Sequence, residues 1–394
     1  MYEGQYVFSQ VMAHMPWKTF HRCVSRYQGN HRVKAFTCAQ QFRAMSIAQL
    51  NRRSSLRDLV VCLQAHQDKL YHLGLSGGIS RSTPADANET RDWRIYSDHA
   101  QRLIEVARPL YGPEDCELNL QETVYALDSS TIDLCLSLFP WALFRKTKSG
   151  IKLHTLLDLQ GNIPSFIEIT DARLNDVNIL DALLPEPGAI YVMDRAYLDF
   201  ERLHTFQRFG SYFVVRAKSN TQFRRLYSHA SNRDQGLVYD QSGVLTGVNS
   251  ARRYPDRLRR IKYVDPERDR TLVFLTNNTY LPALTIARLY KNRWQVELFF
   301  RWVKQHLRIQ SFYGTSENAV KTQIWIGVSV YVLLAIIKKR LQLDASLYTI
   351  SQILDTTLFE KTPLYQLLAE RGYKPEPIDQ LNQLNLFDFL TGHF

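Results

Sequence analysis

Residues 123–128 read Thr-Val-Tyr-Ala-Leu-Asp, and this stretch marks the point where the hydrophobic pattern of the chain changes. Before it, apolar residues recur at the three- and four-residue spacing of helices. After it come short runs rich in β-branched and aromatic residues, at 151–159, 163–169, 190–193 and 212–215. Strands in direct succession followed by strands separated by helical segments predict an α/β fold with a mixed central sheet.

Composition limits the class of protein. The chain has 394 residues, 45% of them hydrophobic, and a formal net charge of +11. It can therefore bury a core, and its length exceeds one typical domain of roughly 100–200 residues. Five cysteines without a C-x-x-C pair argue against a disulfide framework or a structural zinc site. The N-terminus lacks a secretory pattern, and the longest apolar run, 324–337, is shorter than the roughly 20 residues a bilayer needs. We expect a cytoplasmic protein with no membrane segment.

Positive charge is concentrated in two segments. Residues 1–60 hold nine Lys and Arg against two acids, and residues 216–270 hold thirteen against six. A solvated surface would explain either segment alone, but two such segments in one basic protein favour a nucleic acid partner. The glycine turn at 74–78 and the helix start after it are compatible with a helix-turn-helix. The candidate DNA contacts of the second segment are Arg252, Arg253, Arg257, Arg259 and Arg260.

Three acids stand out by their positions. Asp128 and Asp194 each follow directly after an apolar strand, and Glu297 lies on a long helix predicted over 284–306. An aspartate in such a position often only caps a turn. Asp128 and Asp194 become stronger candidates for a functional site when they are considered together with the helix that carries Glu297.

That helix carries polar groups on one side. On an ideal helix Tyr290, Arg293, Glu297 and Lys304 fall within a stripe of about 60°, and the opposite face is apolar. The alternative is a solvated face stabilised by a pair between Arg293 and Glu297. Three carboxylates next to cations suit metal-assisted phosphoryl transfer, in which two divalent ions activate the attacking oxygen and stabilise the leaving one. Oxygen ligands favour Mg²⁺, with Mn²⁺ as a substitute.

The spacing Tyr290-x-x-Arg293-x-x-x-Glu297-x-x-x-x-x-x-Lys304 resembles the Y-R-E-K signature of bacterial insertion-sequence DDE transposases, specifically of the insertion-sequence-four family. The stretches 127–131, LDSST, and 193–197, MDRAY, resemble the first and second acid blocks of that family. The resemblance spans most of the chain. Further agreement comes from Lys152-x-His154, from Asp176 and from 275–277.

The resemblance implies an RNase H-like catalytic core interrupted by a β-rich insertion. The predicted regions are a helical DNA-binding region at 1–120, the first part of the core at 121–217, the insertion at 218–281, the catalytic helix at 282–310 and C-terminal helices at 311–394.

The resemblance also implies roles for single residues. The metal ligands would be Asp128, Asp194 and Glu297, with two ions per site. Phosphates of the transposon end would be bound by Tyr290, Arg293 and Lys304, Trp294 would stack on bases, and Lys152 and His154 would contact DNA.

The activity implied is cut-and-paste transposition through a hairpin intermediate. Its partners would be double-stranded DNA, namely terminal inverted repeats and target DNA, and a second copy of the chain in the DNA complex, at the nucleoid in the bacterial cytoplasm. Two alternatives stay open. One is a catalytically silent DNA-binding protein of transposase descent, and the other is a nuclease of the same fold without end specificity.

Overall fold

The structure is a computed structural model that describes residues 4–112, 120–145, 148–265, 270–306 and 312–369. Its described strands are β1 (Val124–Leu134), β2 (Leu143–Arg145), β3 (Lys148–Asp158), β4 (Ile163–Asp171), β5 (Ile190–Met193), β6 (Tyr212–Arg216), β7 (Phe223–His229), β8 (Leu237–Leu245), β9 (Leu258–Asp265) and β10 (Arg270–Thr276). Its described helices are α1 (Val7–Ala13), α2 (Trp17–Arg26), α3 (Cys38–Leu50), α4 (Leu56–Ala65), α5 (Ser82–Thr90), α6 (Arg94–Ala107), α7 (Phe200–Arg208), α8 (Val248–Arg253), α9 (Ala283–Asn292), α10 (Trp294–His306), α11 (Glu317–Arg340), α12 (Leu347–Thr357) and α13 (Leu364–Ala369).

One mixed sheet organises the middle of the chain. Its strands follow the order β2-β3-β1-β5-β6-β10-β9-β8-β7, and β4 pairs with β3. The three central strands β1, β5 and β6 are parallel, and the pairs on either side of them are antiparallel. The predicted mixed α/β architecture is confirmed, and the strands predicted from the change of hydrophobic period are present. Both faces of the sheet are covered by apolar clusters.

The strands at 223–276 belong to this same sheet. Strand β10 pairs with β6 and then with β9, so the region predicted as a β-rich insertion extends the central sheet. In register, Arg216 at the end of β6 lies opposite Phe274 of β10, which lies opposite Ile261 of β9. Residues 262–265 of β9 and 270–273 of β10 therefore continue past the edge at which β6 ends.

Helices before and after the sheet pack together. Helix α3 begins with a capping box, because Thr37 accepts from the Gln40 N–H and the Gln40 side chain accepts from the Thr37 N–H. Helix α4 is capped by Ser55, whose side chain accepts from the Asp58 N–H. Two helices follow the glycine turn at 74–78, because α5 ends at Thr90 and α6 begins at Arg94.

Helix α11 is the buried centre of the helical part. It contains the apolar run at 324–337, and every residue of that run is buried. Within the described ranges it is also the one helix long and apolar enough to cross a membrane by length and composition, yet 94% of that window is buried inside the protein. Its contacts with α3, α5 and α6 explain this burial. The apolar run is thus part of a buried helix in the protein interior.

The long helix predicted over 284–306 is wrong in one respect, because it is two helices. Helix α9 ends at Asn292 and α10 begins at Trp294. At the break, the Arg293 N–H donates to the Tyr290 carbonyl over only three residues. An ideal helical wheel therefore does not describe 284–306 as a whole. Within α10 the apolar face is as predicted, because Val296, Phe299, Phe300 and Val303 are buried.

Candidate active site

Strand register brings the two candidate aspartates together. Strands β1 and β5 are parallel, and Leu127 lies opposite Met193. Asp128 and Asp194 are the next residues on the two strands, so they meet at the carboxyl edge of the parallel strands. Neighbouring strands are about 4.8 Å apart, which places the two carboxylates within direct electrostatic range. The sequence order alone does not reveal this register.

Arg293 joins one of these aspartates to the third acid. Its guanidinium forms an ion pair with the Asp128 carboxylate and a second one with Glu297, in which Nη2 lies 2.5 Å from Oε1. The break between α9 and α10 falls at this arginine and faces it toward β1. The side chains of Asp128 and Arg293 are 19% and 15% exposed, so this charge cluster is largely withdrawn from water. The predicted polar stripe thus faces the sheet edge that carries the aspartates.

The pKa of Asp128 is shifted by burial and by the charged groups around it. The pKa of Asp128 is raised to about 6, mainly by burial, with smaller contributions from the Asp194 and Glu297 carboxylates and with Arg293 opposing the rise. The Ser129 N–H also donates to Asp128 Oδ1 at 2.8 Å. Mutual repulsion among three carboxylates is the condition that a bound cation relieves.

The chemical type of the donor atoms suits a divalent ion. All three side chains offer carboxylate oxygens, the ligands that Mg²⁺ and Mn²⁺ prefer. A positive group already lies between two of them, since the Arg293 guanidinium contacts both Asp128 and Glu297. Across the residues that the structure describes, no three His, Cys, Asp or Glu side chains are gathered closely enough to hold an ion as they stand. In this structure the Arg293 guanidinium therefore supplies the positive charge that Asp128 and Glu297 attract.

A cavity of about 450 Å³ opens beside these acids. Arg301 and Gln305 lie at its exposed side, and Lys304 lies deeper. The Lys304 Nζ donates to the Thr131 carbonyl at 2.8 Å, which ties α10 to β1. Burial lowers the pKa of Lys304. The complete lining is Asp128, Ser129, Ser130, Glu297, Phe300, Arg301, Lys304 and Gln305.

The two aromatic candidates differ in exposure. Tyr290 is half-buried, its ring centroid lies 4.8 Å from that of Phe274, and burial raises the pKa of its hydroxyl. Its ring also lies 5.8 Å from the Arg293 guanidinium carbon. Trp294 is 38% exposed at the start of α10. The roles assigned to them in DNA contact stay predictions.

His154 is buried, which corrects its predicted role as a DNA contact, whereas Lys152 is half-buried and its role stays a prediction. The Lys152 Nζ donates to the Leu174 carbonyl at 2.7 Å and to Asp176 Oδ1 at 3.0 Å. His154 is fully buried beside Thr170, and burial lowers its pKa to about 4. The two side chains share one face of β3, because side chains alternate along a strand, and this face is half-buried at Lys152 and buried at His154.

The five arginines of the second basic segment do not form one surface. Arg252 and Arg253 at the end of α8 and Arg257 after it are exposed. Arg259 is a correction, because it is buried and forms a bidentate pair with Asp240, with Nε to Oδ1 at 2.8 Å and Nη2 to Oδ2 at 2.6 Å. Arg260 is half-buried, and its guanidinium lies over the ring of Phe223 at 4.5 Å. Three of the five remain available to a polyanion.

Sequence reasoning missed two residues of the site. Arg301 lines the cavity, and its position four residues after Glu297 is a helical spacing that could have indicated it. Tyr197 lies within the second acid block, yet only the structure shows that its hydroxyl is buried beside Asp128, Asp176 and Asp194.

The fold and the site together describe an α/β protein with carboxylates gathered at the carboxyl edge of parallel strands. The sequence profile described as "Transposase DDE domain" matches residues 119–333, more than half of the chain. The chain therefore belongs to the Transposase DDE domain family. A second profile, described as a domain of unknown function (DUF4372), matches residues 3–76. Domains of the first family generally use divalent metal ions, which agrees with the carboxylate donor set.

Curated relatives carry the same description. A putative transposase, y4zB, of Sinorhizobium fredii is 33% identical over 238 residues, which is 60% of this chain and 66% of that protein. A probable transposase for insertion sequence element IS5377 of Geobacillus stearothermophilus is 30% identical over 219 residues, covering 55% of this chain and 57% of that protein. A putative transposase for element IS4SA of Synechocystis is 27% identical over 224 residues, with shares of 54% and 60%. The chain thus spans less than two thirds of each of these relatives' length.

Among solved structures, the chain is similar to a cryo-EM structure of the piggyBac transposase synaptic complex with hairpin DNA. The TM-score is 0.44 and the sequence identity is 10%, over 98% of this chain and 84% of that one.

Proposed function

We propose that this protein is the transposase of a bacterial insertion sequence and that it cleaves and joins DNA ends by metal-dependent phosphoryl transfer. The observation that carries the proposal is the pairing of the Arg293 guanidinium with both Asp128 and Glu297, beside the strand end where Asp194 acts electrostatically on Asp128. The Y-R-E-K spacing supports assignment to the insertion-sequence-four family. An RNase H-like core is supported by the parallel strands that carry the first two acids.

In this proposal the three carboxylates hold two Mg²⁺ ions, or Mn²⁺ in their place. The metal ions would activate the attacking oxygen and stabilise the leaving one. The chain's own residues would do the rest. Arg301 and Lys304 at the cavity bind phosphate oxygens, the Ser129 N–H fixes the Asp128 carboxylate, and the exposed Trp294 stacks on a base.

The DNA partners would be the terminal inverted repeats and the target, bound through residues 1–120 and the exposed arginines of α8. Cleavage would free a 3′-hydroxyl that attacks the opposite strand to form a hairpin, which is then reopened and joined to the target. A homodimer would hold the two ends together. With chromosomal DNA as its substrate, the protein would act at the bacterial nucleoid.

The decisive experiment is cleavage of a DNA fragment that contains the gene and its native flanks. Wild type is compared with Asp194→Asn and Glu297→Gln, in Mg²⁺, in Mn²⁺ and in a chelator. We expect cuts confined to the flanks that need the metal and are lost in both variants, while both variants still bind the fragment.

Other results would redirect the assignment. Undiminished cleavage by both variants would remove the acids from the site. Binding without cutting by the wild type would indicate a catalytically silent DNA-binding protein. Cuts without preference for the flanks would indicate a general nuclease. The control variant is Asp181→Asn, which removes an exposed carboxylate paired with Arg202 away from the site.

A further inference from the structure

A polar layer lies behind the candidate catalytic acids. Asp176, in the 3₁₀ turn Asp176–Ala182, accepts from the Ser129 hydroxyl at 2.7 Å and from Lys152 Nζ at 3.0 Å. Ser129 in turn holds Asp128 through its backbone N–H. A chain of contacts therefore leads from Lys152 on β3 through Asp176 to the Ser129 hydroxyl, and the Ser129 backbone N–H continues it to the Asp128 carboxylate.

Tyr197 completes this layer. It lies in the short 3₁₀ turn directly after Asp194, and that turn packs against the turn that carries Asp176. Tyr197 is 1% exposed, and its hydroxyl lies close to the Ser129 side chain without forming a well-aligned hydrogen bond among the described residues. A buried tyrosine hydroxyl usually has a partner, so this one has a donor available toward the acids around it. The charges near the Tyr197 hydroxyl include Asp128, Asp176 and Asp194. Burial is the main reason that the pKa of this hydroxyl is raised, and these three carboxylates raise it further.

The charges of this layer are balanced. Lys152 is 15% exposed and Asp176 is 24% exposed, so their pair is largely shielded from water. Without Lys152, Asp176 would add an uncompensated negative charge beside the three acids. The lysine therefore allows Asp176 to act as a hydrogen-bond acceptor without competing for a metal ion.

We propose that Lys152, Asp176 and Tyr197 are positioning residues that orient the metal-binding carboxylates of this site. Asp176 and Lys152 act through Ser129 on Asp128, and the Tyr197 hydroxyl would donate to one of the carboxylates around it. The proposal rests on the proposed function, because it assigns an outer layer to that same metal site. Partners of this kind set ligand orientation, and their loss typically costs 10- to 100-fold in metal affinity or activity.

The first test uses Tyr197→Phe, because this variant should weaken metal binding without lowering the stability of the protein. Removing a buried hydroxyl without a well-aligned hydrogen bond should leave the melting temperature unchanged or raise it. The same change should weaken Mn²⁺ binding to the DNA-free protein by about 10-fold, measured by electron paramagnetic resonance of free Mn²⁺. The matched control is Tyr191→Phe, whose buried hydroxyl accepts from the Glu186 N–H at the opposite edge of the sheet. It should lower stability and leave Mn²⁺ binding as in wild type.

The second test uses the aspartate. Asp176→Asn keeps an acceptor for Ser129 but loses the charge that faces Lys152, and we expect Mn²⁺ binding about 10-fold weaker. The matched control is Asp181→Asn, which alters the other ion-paired aspartate of the same 3₁₀ turn and should bind Mn²⁺ as wild type does. The double variant Lys152→Met with Asp176→Asn restores charge balance but not the hydrogen bond from the lysine, so it should stay impaired.

The possible outcomes distinguish a failure of the positioning layer from a failure of the proposed metal site. Wild-type Mn²⁺ affinity in both Tyr197→Phe and Asp176→Asn would overturn the positioning layer and leave the proposed function intact. Mn²⁺ binding that is absent in wild type, or unchanged in Asp194→Asn and Glu297→Gln, would overturn the metal site itself and the layer with it.

Discussion

Arg293 and Asp128 form an ion pair across the junction between helix α10 and the central sheet. The arginine stands at the single residue between α9 and α10, and the aspartate lies just beyond the parallel pairing of β1 with β5. The same guanidinium also binds Glu297. In the protein without DNA, a side chain thus neutralises two of the carboxylates proposed to hold metal.

This pairing predicts competition between Arg293 and metal. In Arg293→Gln the neutral amide no longer compensates the acids, so we expect Mn²⁺ to bind the DNA-free protein about tenfold more tightly, a change of about 1.4 kcal/mol. Without metal, the variant should melt at a lower temperature than wild type because the acids repel one another. Melting curves with and without Mn²⁺ measure both effects. Arg288→Gln, on the exposed side of α9, is the control. Equal Mn²⁺ affinity in wild type and Arg293→Gln would contradict the competition.

Arg301 is predicted to contact a DNA phosphate. It lines the cavity beside Glu297 and is exposed. Loss of one phosphate contact should reduce the slope of log affinity against log salt by about 0.9. Fluorescence anisotropy of wild type and Arg301→Ala across a salt series measures this slope. The control is Arg208→Ala at the end of α7, since that helix returns to the opposite edge of the sheet. A slope that Arg301→Ala leaves unchanged would remove Arg301 from the interface.

The arginines of the second basic segment should separate into two groups. Arg259→Met breaks a buried pair and leaves Asp240 uncompensated, so the free energy of unfolding should fall by about 3–5 kcal/mol. Arg252→Ala with Arg253→Ala should leave that free energy within about 0.5 kcal/mol and weaken DNA binding. Urea unfolding and anisotropy provide the two readouts. In the double variant Arg259→Met with Asp240→Leu, much of the lost stability should return, because no unpaired charge remains. A stable Arg259→Met protein would show that the pair contributes little.

His99 predicts a loss of stability in acid. It is fully buried between the rings of Phe20 and Phe42, and burial lowers its pKa to about 3. In the unfolded chain this histidine has a pKa of about 6.5, so below that pH it binds a proton that the folded protein does not bind. Stability is therefore complete above about pH 6.5 and declines as the pH falls toward 3, by about 2 kcal/mol between pH 7 and pH 5 from this residue.

The measurement is urea unfolding of wild type and His99→Leu at several pH values between 5 and 7.5. The leucine variant should show the shallower decline. His21→Ala, which alters an exposed histidine of α2, should follow wild type. Identical slopes for wild type and His99→Leu would contradict the assignment.

Much of the sheet could be predicted from the sequence because each strand carries its own local signal. The apolar runs that end at Asp128 and Asp194 were visible, and so was the helical spacing of Arg293 and Glu297. What the sequence could not show was pairing. The register of Leu127 with Met193, which brings the aspartates together, depends on contacts between segments more than sixty residues apart.

Two wrong predictions share a physical cause. His154 and Arg259 belong to residue types that are usually exposed, but each lies on a strand face that other elements cover. Each is compatible with burial because it has a partner, namely Thr170 and Asp240. The break at Arg293 was missed because nothing in the local sequence, neither proline nor glycine, interrupts the helix there.

The position of β10 between β6 and β9 decides what a shortened chain would do. Strand β6 pairs with β5 on one side and with β10 on the other, so it has no open edge. A chain lacking 218–281 would expose the backbone of β6 along an apolar strand, and such an edge templates pairing with other molecules. Internal deletion of this region should therefore yield insoluble, self-associating protein and not a smaller folded one.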